Sequence, residues 1–327
     1  MPRTDNTAHQ VIRALGDGAF HSGEQLARGL QISRSAVWKH LRRFQVGGLE
    51  IVSVPGRGYR LAAPLDLLDA AEIKARLSPA VRRIVAELSV LDEVDSTNTW
   101  LMAQASELPA VCLAERQTAG RGRRGRQWAS PFAANLYMSC AWRFEDLPPG
   151  FSALAMAAAV AVVRALGKLG VTGVGIKWPN DLWMAGRKLG GILVDMQGEP
   201  PGQARTVVGV GINVRMPAAA ATYIDQPWTD LATQLPDKTP GRNALAAALI
   251  EQLVEALEVF AARGFAAFAA DWRALDLAAG KSVRLHHQQH VIKGTALGVD
   301  QDGALLLDTG GGTQRFVSGD LSMRLAP

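Results

Sequence analysis

Residues 118–131 read TAGRGRRGRQWASP, and within them Gly120, Gly122 and Gly125 satisfy the pattern G-x-G-x-x-G. Taken literally, that pattern commits a chain to a doubly wound βαβ unit. A strand leads into the glycines, and a helix opens at once so that its N–H groups meet a pyrophosphate. The stretch ahead, AVCLAERQ, has the apolar character of a strand. The stretch behind, RQWASPFAANLYMSCAWRF, contains Pro131 and reads as a turn followed by a strand, with no amphipathic helix at Gly125. A Walker-type P-loop fails as well, because no Gly-Lys-Ser/Thr follows. The segment is therefore a loop between strands, with three glycines and four arginines in seven residues. Its glycines allow close backbone approach to a ligand, at an entropic cost that favours disorder without one. Its arginines supply planar forks for carboxylate or phosphate oxygens. An RNA-binding surface loop has the same composition, so both readings stand at this point.

Charge distribution separates a second region. Residues 1–63 hold nine Lys/Arg against four Asp/Glu, whereas the rest of the chain holds 26 of each, so all of the net +5 resides in the first fifth. A basic module on a neutral body points to nucleic acid. Within it, HSGEQLARGLQISRSAVWKHLRRF reads as two short helices joined by a tight turn. Ser22 and Gln25 stand in capping-box positions, and Ser33 can cap the second helix. Val37, Leu41 and Phe44 recur at helical spacing and should face a core. Arg34, Ser35, Trp38, Lys39 and Arg42 fall on other faces, as a major-groove recognition helix requires. LEIVSVPGRGYRL then gives two strand-like runs around Pro55-Gly56-Arg57-Gly58, with Arg57 at the tip and Arg60 on the return strand. Together these make a winged helix, ending near Ala63-Pro64. Trp38 either stacks at the DNA surface or packs against the wing. A small helical domain with a solvated basic face is the alternative.

Composition removes other classes. Hydrophobic residues make up 48% and charged residues 20% of 327, ordinary globular values. The most apolar stretch, FSALAMAAAVAVVRALGKLG, is interrupted by Arg164 and Lys168, which favours a buried amphipathic helix over a membrane span. MPRTDNTAHQVIRALGDG lacks an apolar h-region and a small-residue cleavage site, so no signal peptide is expected. Cys112 and Cys140 each lie in an apolar run, so buried reduced thiols and a cytoplasmic setting are expected.

Three further stretches carry chemistry. DEVDSTNTWL places Asp95, Ser96, Thr97 and Asn98 where a strand runs into a helix, suited to capping, to binding a polar ligand, or to both. GIKWPNDLWMAGRKLGGILVDM has strand-like ends around Lys177-Trp178-Pro179-Asn180-Asp181, a hairpin at Ala185-Gly186, and Lys188 before two glycines. TVVGVGINV is β-rich and ends in Gly211 and Asn213. HHQQH, residues 286–290, could be a metal cluster. Alternation along a strand puts His286 and His287 on opposite faces, which favours a solvated strand end.

In this order and spacing, DSTN, QTAGRGRRGRQW, KWPNDL, RKLGGIL and GVGINV resemble the biotin–protein ligases. With FHSGEQL, SRSAVWKH and VPGRGYRL ahead and DQDGALLLDTGG behind, the chain is similar, almost end to end, to the bifunctional members that also repress transcription. The resemblance implies an α+β multidomain fold: a winged helix-turn-helix over residues 1–63, a mixed α/β ligase domain of the biotin/lipoate type over 64–273, and an SH3-like β-barrel over 274–327. It implies that biotin and ATP form biotinyl-5′-AMP with release of pyrophosphate. The acyl group then passes to one lysine of the biotin carboxyl carrier protein of acetyl-CoA carboxylase. Residue by residue, it assigns Ser96, Thr97, Asn98 and Gln117 to biotin, and Arg121, Gly122 and Arg123 to the biotin carboxylate and phosphate. Lys188 would contact the reacting oxygens, and Trp128 would pack near the acyl chain or adenylate, although a core tryptophan reads the same. Asn180 and Asn213 would lie on the nucleotide side, and Asp181 would orient or deprotonate the acceptor lysine. Mg²⁺ would accompany ATP, with no dedicated metal cage. A homodimer loaded with biotinyl-5′-AMP would bind operator DNA through Ser33, Arg34, Ser35, Trp38, Lys39, Arg42, Arg57 and Arg60. Trp38 departs from the small or polar residue expected of a base reader, which leaves the operator open. A ligase that no longer represses, a non-catalytic biotin sensor and a lipoate ligase are the competing readings. Arg121, Arg123 and Lys188, all present, weigh against the sensor.

Overall fold

A computed structural model describes residues 6–325 except 47–48, 106–108, 199–202, 223, 288–289 and 318–320. The N-terminal unit is α1 (Asn6–Ala14), α2 (Gly23–Gly29), α3 (Arg34–Val46) and the hairpin of β1 (Ile51–Val54) and β2 (Gly58–Leu61). Its caps form as the sequence dictates. Ser22 Oγ accepts from Gln25 N while Gln25 Oε1 accepts from Ser22 N, and Ser33 Oγ accepts from Ala36 N at 3.1 Å. Val37, Leu41 and Phe44 are buried against Val11 and Ile12 of α1. Gly58 has φ +100°, and a Cβ there would lie 2.1 Å from the carbonyl of His21, which pairs with Tyr59. The wing thus closes directly onto the segment before α2.

Next come α4 (Ala70–Arg76), α5 (Pro79–Ile84), β3 (Glu87–Leu91), α6 (Thr97–Ala103), β4 (Ala110–Ala114), β5 (Leu136–Phe144), α7 (Leu154–Lys168) and β6 (Val174–Lys177). They are followed by β7 (Asp181–Met184), β8 (Arg187–Gln197), β9 (Ala204–Ile212), α8 (Leu231–Gln234), α9 (Arg242–Arg263) and α10 (Ala269–Leu275). The strands make one sheet in the order β3-β4-β5-β9-β8-β7-β6, parallel only between β3 and β4. The side-chain period of two splits it into two faces. One face packs on α7 and α9 in the main core, and the other meets α6 through Leu101, Cys112, Ala141 and Val207. The segment Phe151–Lys168 is apolar enough by composition to cross a membrane, and 61% of it is buried inside this fold. Both cysteines are buried and free, and burial pushes the Cys140 thiol up to about 12, so neither is a ready thiolate.

Finally, β10 (Ser282–His287), β11 (His290–Val299), β12 (Leu305–Asp308), β13 (Thr313–Phe316) and β14 (Leu321–Leu325) form an antiparallel sheet in the order β13-β12-β11-β10-β14. Its apolar face, with Val283, Leu285, Leu305, Leu307 and Met323, belongs to the same core as α7 and α9. His286 and His287 pair with Val291 and His290 across the β10–β11 hairpin. The intervening Gln288 and Gln289 lie outside the described residues.

Two joints tie the N-terminal unit to the body. Phe132, just past the arginine loop, is buried in the N-terminal core, its ring stacked on His9 at 5.3 Å and edge-on to Phe44 at 5.2 Å. Around this contact Arg13 pairs with Asp92 at 2.6 Å, and Glu93 receives Arg43 at 3.4 Å and Arg116 at 3.0 Å. Below it, the connecting chain is clasped by a buried ion pair. Arg242 meets Glu115 at 2.7 Å, Glu115 also accepts from Leu68 N, and Arg242 donates to the carbonyls of Asp66 and Asn135. The hydrogen bonds to Leu68 N and Asp66 O fix the path of the connector and offset part of the cost of burying the pair.

Candidate functional site

A cavity of about 460 Å³ opens on the α6 side of the sheet, between the arginine loop and the β6–β8 strands. One end is neutral and hydrogen-bonded. Thr97 N donates to Gln117 Oε1 at 2.9 Å, and Thr97 Oγ1 lies 3.2 Å from the same oxygen. Gln117 Nε2 in turn donates to Ser130 Oγ at 3.2 Å. Ser139 Oγ lies 2.6 Å from both Thr97 Oγ1 and Asn98 Oδ1. Ser96 occupies the N-cap position of α6 but its hydroxyl makes no capping bond, and Asp95 Oδ1 instead accepts from Ser96 N at 2.6 Å. The capping expected of DSTN is thus not made by Ser96, which is among the residues lining the cavity. Two glycines of β9 make the room: a Cβ on Gly209 would lie 2.2 Å from Asn98 Oδ1, and one on Gly211 would lie 2.7 Å from the Trp128 ring.

The other end is cationic. The loop folds on itself: Gly122 N donates to Arg126 O at 2.7 Å, Trp128 N donates to Gly120 O at 2.8 Å, and residues 123–125 make a single 3₁₀ turn. Arg124 takes φ +59°, a left-handed conformation costly for a residue with a Cβ. All four arginines of the loop, Arg121, Arg123, Arg124 and Arg126, line the cavity. Arg121 Nη2 meets Asp195 Oδ2 at 2.9 Å and Thr99 Oγ1 at 3.2 Å, and Arg123 Nη1 donates to Asn180 Oδ1 at 3.3 Å. Lys188 Nζ sits 2.7 Å from Asp181 Oδ1 and 5.5 Å from the Trp128 ring centre. Asn180 is fixed by Nδ2 donating to Ile192 O at 2.6 Å, beside the cis Trp178-Pro179 bond. The expected Ser96, Thr97, Asn98, Gln117, Arg121, Gly122, Arg123, Trp128, Asn180, Asp181 and Lys188 all line this one cavity. Asn213 does not. It is buried behind the site, with Nδ2 donating to Thr229 O at 2.9 Å and its N to Leu189 O, where it holds the strand that carries Lys188.

Residues 90–213 match the Biotin/lipoate A/B protein ligase family, residues 7–60 an HTH domain, and residues 279–324 the Biotin protein ligase C terminal domain. The Bifunctional ligase/repressor BirA of Salmonella typhimurium is 41% identical, with 97% of each chain covered. That of Escherichia coli is 40% identical over 98% of this chain and 99% of its own. The chain belongs to the bifunctional ligase/repressor family of biotin protein ligases. The solved biotin protein ligase from Aquifex aeolicus in complex with biotin and ATP superposes with a TM-score of 0.63 at 28% identity. It covers 74% of this chain and all of its own.

In this ligase/repressor most of the residues expected to meet DNA are exposed on the N-terminal unit. Ser33, Arg34, Ser35, Lys39, Arg42 and Arg57 are exposed. Trp38 is 54% exposed with the Arg42 guanidinium 5.8 Å from its ring centre, so it does not pack into the wing. Arg57 and the half-buried Arg60 share one support, their guanidinia 4.2 and 5.1 Å from the centre of the Phe20 ring. Further residues of the site carry little mark in the sequence. Lys177, 9% exposed with its ammonium 4.4 Å from the Trp183 ring centre, adds a further cation to the ligase cavity. It stands inside the KWPND motif and was legible there as a charge in a strand otherwise buried. Tyr137, Ser139 and Asp195 carry no local mark beyond strand alternation, because their partners lie on other strands.

Proposed function

We propose that the chain joins biotin to ATP as biotinyl-5′-AMP and passes the biotinyl group to a lysine of biotin carboxyl carrier protein. With the adenylate bound, it dimerises on operator DNA in the cytoplasm. The reading rests above all on one cavity that pairs a neutral hydrogen-bonding end with a cationic end, in a chain related over nearly its full length to bifunctional ligase/repressors. We divide it accordingly into a DNA-binding unit (1–63), a ligase unit (64–273) and a C-terminal unit (274–327).

The chemistry follows from charge. A carboxylate oxygen must attack the α-phosphorus of a polyphosphate, and the two anions repel. Arg121, Arg123, Lys177 and Lys188 converge where they meet and stabilise both that encounter and the charge moving to the departing pyrophosphate. The ureido ring takes the Thr97–Gln117 end, and Trp128 and Gly211 bound the channel between. In the second step the acceptor amine attacks the acyl carbon, AMP leaves, and the ammonium proton goes to Asp181. Lys188, 2.7 Å away, holds that carboxylate in place. Among the described residues no group of three His, Cys, Asp or Glu side chains is disposed to cage a metal. The oxygens of Asp181 and Asn180 fit one side of a Mg²⁺ that arrives on ATP, where it would offset phosphate charge.

ATP–pyrophosphate exchange, with biotin or lipoate as the acid, tests the enzyme. Exchange stimulated by biotin and not by lipoate is expected, and no biotin-dependent exchange would sink the proposal. A gel shift on the DNA upstream of the chain's own biotin genes tests the repressor. Retardation requiring both biotin and ATP is expected, whereas equal binding without them leaves a ligase whose winged helix does not respond to ligand.

A further inference from the structure

Asp195 lies on β8, two strand repeats beyond Gly191, and does not itself line the cavity. Its Oδ2 nevertheless receives Asn98 Nδ2 at 3.0 Å from the neutral end and Arg121 Nη2 at 2.9 Å from the cationic loop. The consequence lies in where protons sit. Asn98 Nδ2 spends its two protons on Asp195 and on the carbonyl of Leu193, 3.4 Å away, both of which only accept. Asn98 Oδ1 must then face Ser139 and can only accept. Ser139 has a single hydroxyl proton, so it gives that proton to Asn98. The 2.6 Å contact between Ser139 and Thr97 then needs its proton from Thr97. Thr97 Oγ1 is left with both lone pairs free, and Gln117 Oε1, which accepts from Thr97 N, keeps one free as well. If Asn98 turned over, every proton in the chain would point the other way: Asn98 to Ser139, Ser139 to Thr97, Thr97 to Gln117. Thr97 would then have its oxygen already occupied.

We propose that Asp195 is a positioning residue: by locking the Asn98 amide it sets the donor–acceptor order through Ser139, so that Thr97 Oγ1 stands ready to accept an N–H from the ligand. The inference rests on the ligase reading above, in which that N–H belongs to the ureido group of biotin. A hydroxyl network has no preferred direction of its own, and a fixed anion at one end supplies one. Gly209 completes the lock, since any Cβ there would displace Asn98.

Calorimetric titration with biotin and with biotinol, in which an alcohol replaces the carboxyl group, separates this role from the contact with Arg121. Both probes carry the ureido ring, and only biotin carries the anion. For D195A we expect both affinities to fall about tenfold, the loss of one oriented hydrogen bond. D195E should stay within about threefold of the parent chain, and adding D195A to N98A should cost biotinol nothing further. Parent-like affinity for both probes in D195A would overturn the proposal. So would a loss confined to biotin, since Asp195 would then act through Arg121 alone. If D195A does not fold, Asp195→Asn, which keeps the shape but can donate to a turned Asn98 as readily as accept from it, removes the fixed anion and should show the same parallel loss, and unchanged binding there overturns the proposal equally. An unaltered chain that binds neither probe would instead refute the ligase reading itself.

Discussion

Lys188 and Asp181 face each other across a bulge in the β7–β8 pairing, which lets two residues on adjacent strands bring their charges to 2.7 Å. An ammonium suits this place because its charge is compact and its donors rotate, so it can follow negative charge from carboxylate to phosphate. Lys188→Ala is expected to lower the rate of biotin-dependent ATP–pyrophosphate exchange by about 100-fold or more, the scale set by loss of one preorganised charge-stabilising group. Lys188→Arg should recover little of it, since a rigid fork cannot occupy the space between Asp181 and Trp128. Arg123 plays a different part. It is held by Asn180 from below and by the 3₁₀ turn from its own backbone, so its expected effect is on retention. Arg123→Ala should speed dissociation of biotinyl-5′-AMP about tenfold or more while leaving the melting temperature within a few degrees, and an unchanged off-rate would show that this arginine does not clamp the adenylate.

At the scale of elements, legibility followed locality. The capping box of α2, the wing turn and the β7–β8 hairpin at Ala185-Gly186 all depend on residues a few positions apart, and each was readable. So was the refusal of a helix after Gly125, because Pro131 lies within the same stretch. The pairings that build the cavity are not local. β9 reaches back to β5 across α7 and the β6–β8 hairpins, and only that register brings Gly209 under Asn98 and Gly211 under Trp128. Asn213 was placed with the nucleotide because it closes a motif whose glycines line the cavity. One residue beyond β9 the chain turns inward, and its amide nitrogen donates to Thr229 O, outside the cavity lining. Asp195 was invisible for the converse reason, an acidic residue at the polar end of a strand whose partners come from α6 and a loop. Gly211→Ala must push the Trp128 ring aside, and we expect biotin to bind at least about tenfold more weakly in titration, with backbone circular dichroism unchanged.

Across the whole molecule, the winged helix and the ligase body share one aromatic contact ringed by charge. His9 is fully enclosed there, and burial holds its imidazole below the ordinary value of 6.5 despite the opposing pull of Asp92 and Glu93. The unfolded chain therefore takes up a proton that the folded chain resists. The stability of the docked arrangement is present above pH 6.5 and declines as the pH falls from there through the lowered value in the fold. Thermal melts from pH 7.5 to 5 should show this slope, and His9→Phe should flatten it; identical slopes in both would show that His9 does not set it. Phe132→Ala removes the other ring and should cost about 3 kcal/mol in denaturant titration, as large-to-small changes in closed cores do. Phe132 follows the arginine loop by sequence yet fills the core of the DNA-binding unit. A division of the chain at residue 63 is thus not a division of its cores. Cut there, one half keeps a plug and the other an empty socket. A descendant that sheds its winged helix and lives as a ligase alone inherits a bare aromatic ring beside its active-site loop. Residue 132 is where such a lineage should show the change first, as a small or polar side chain that water tolerates.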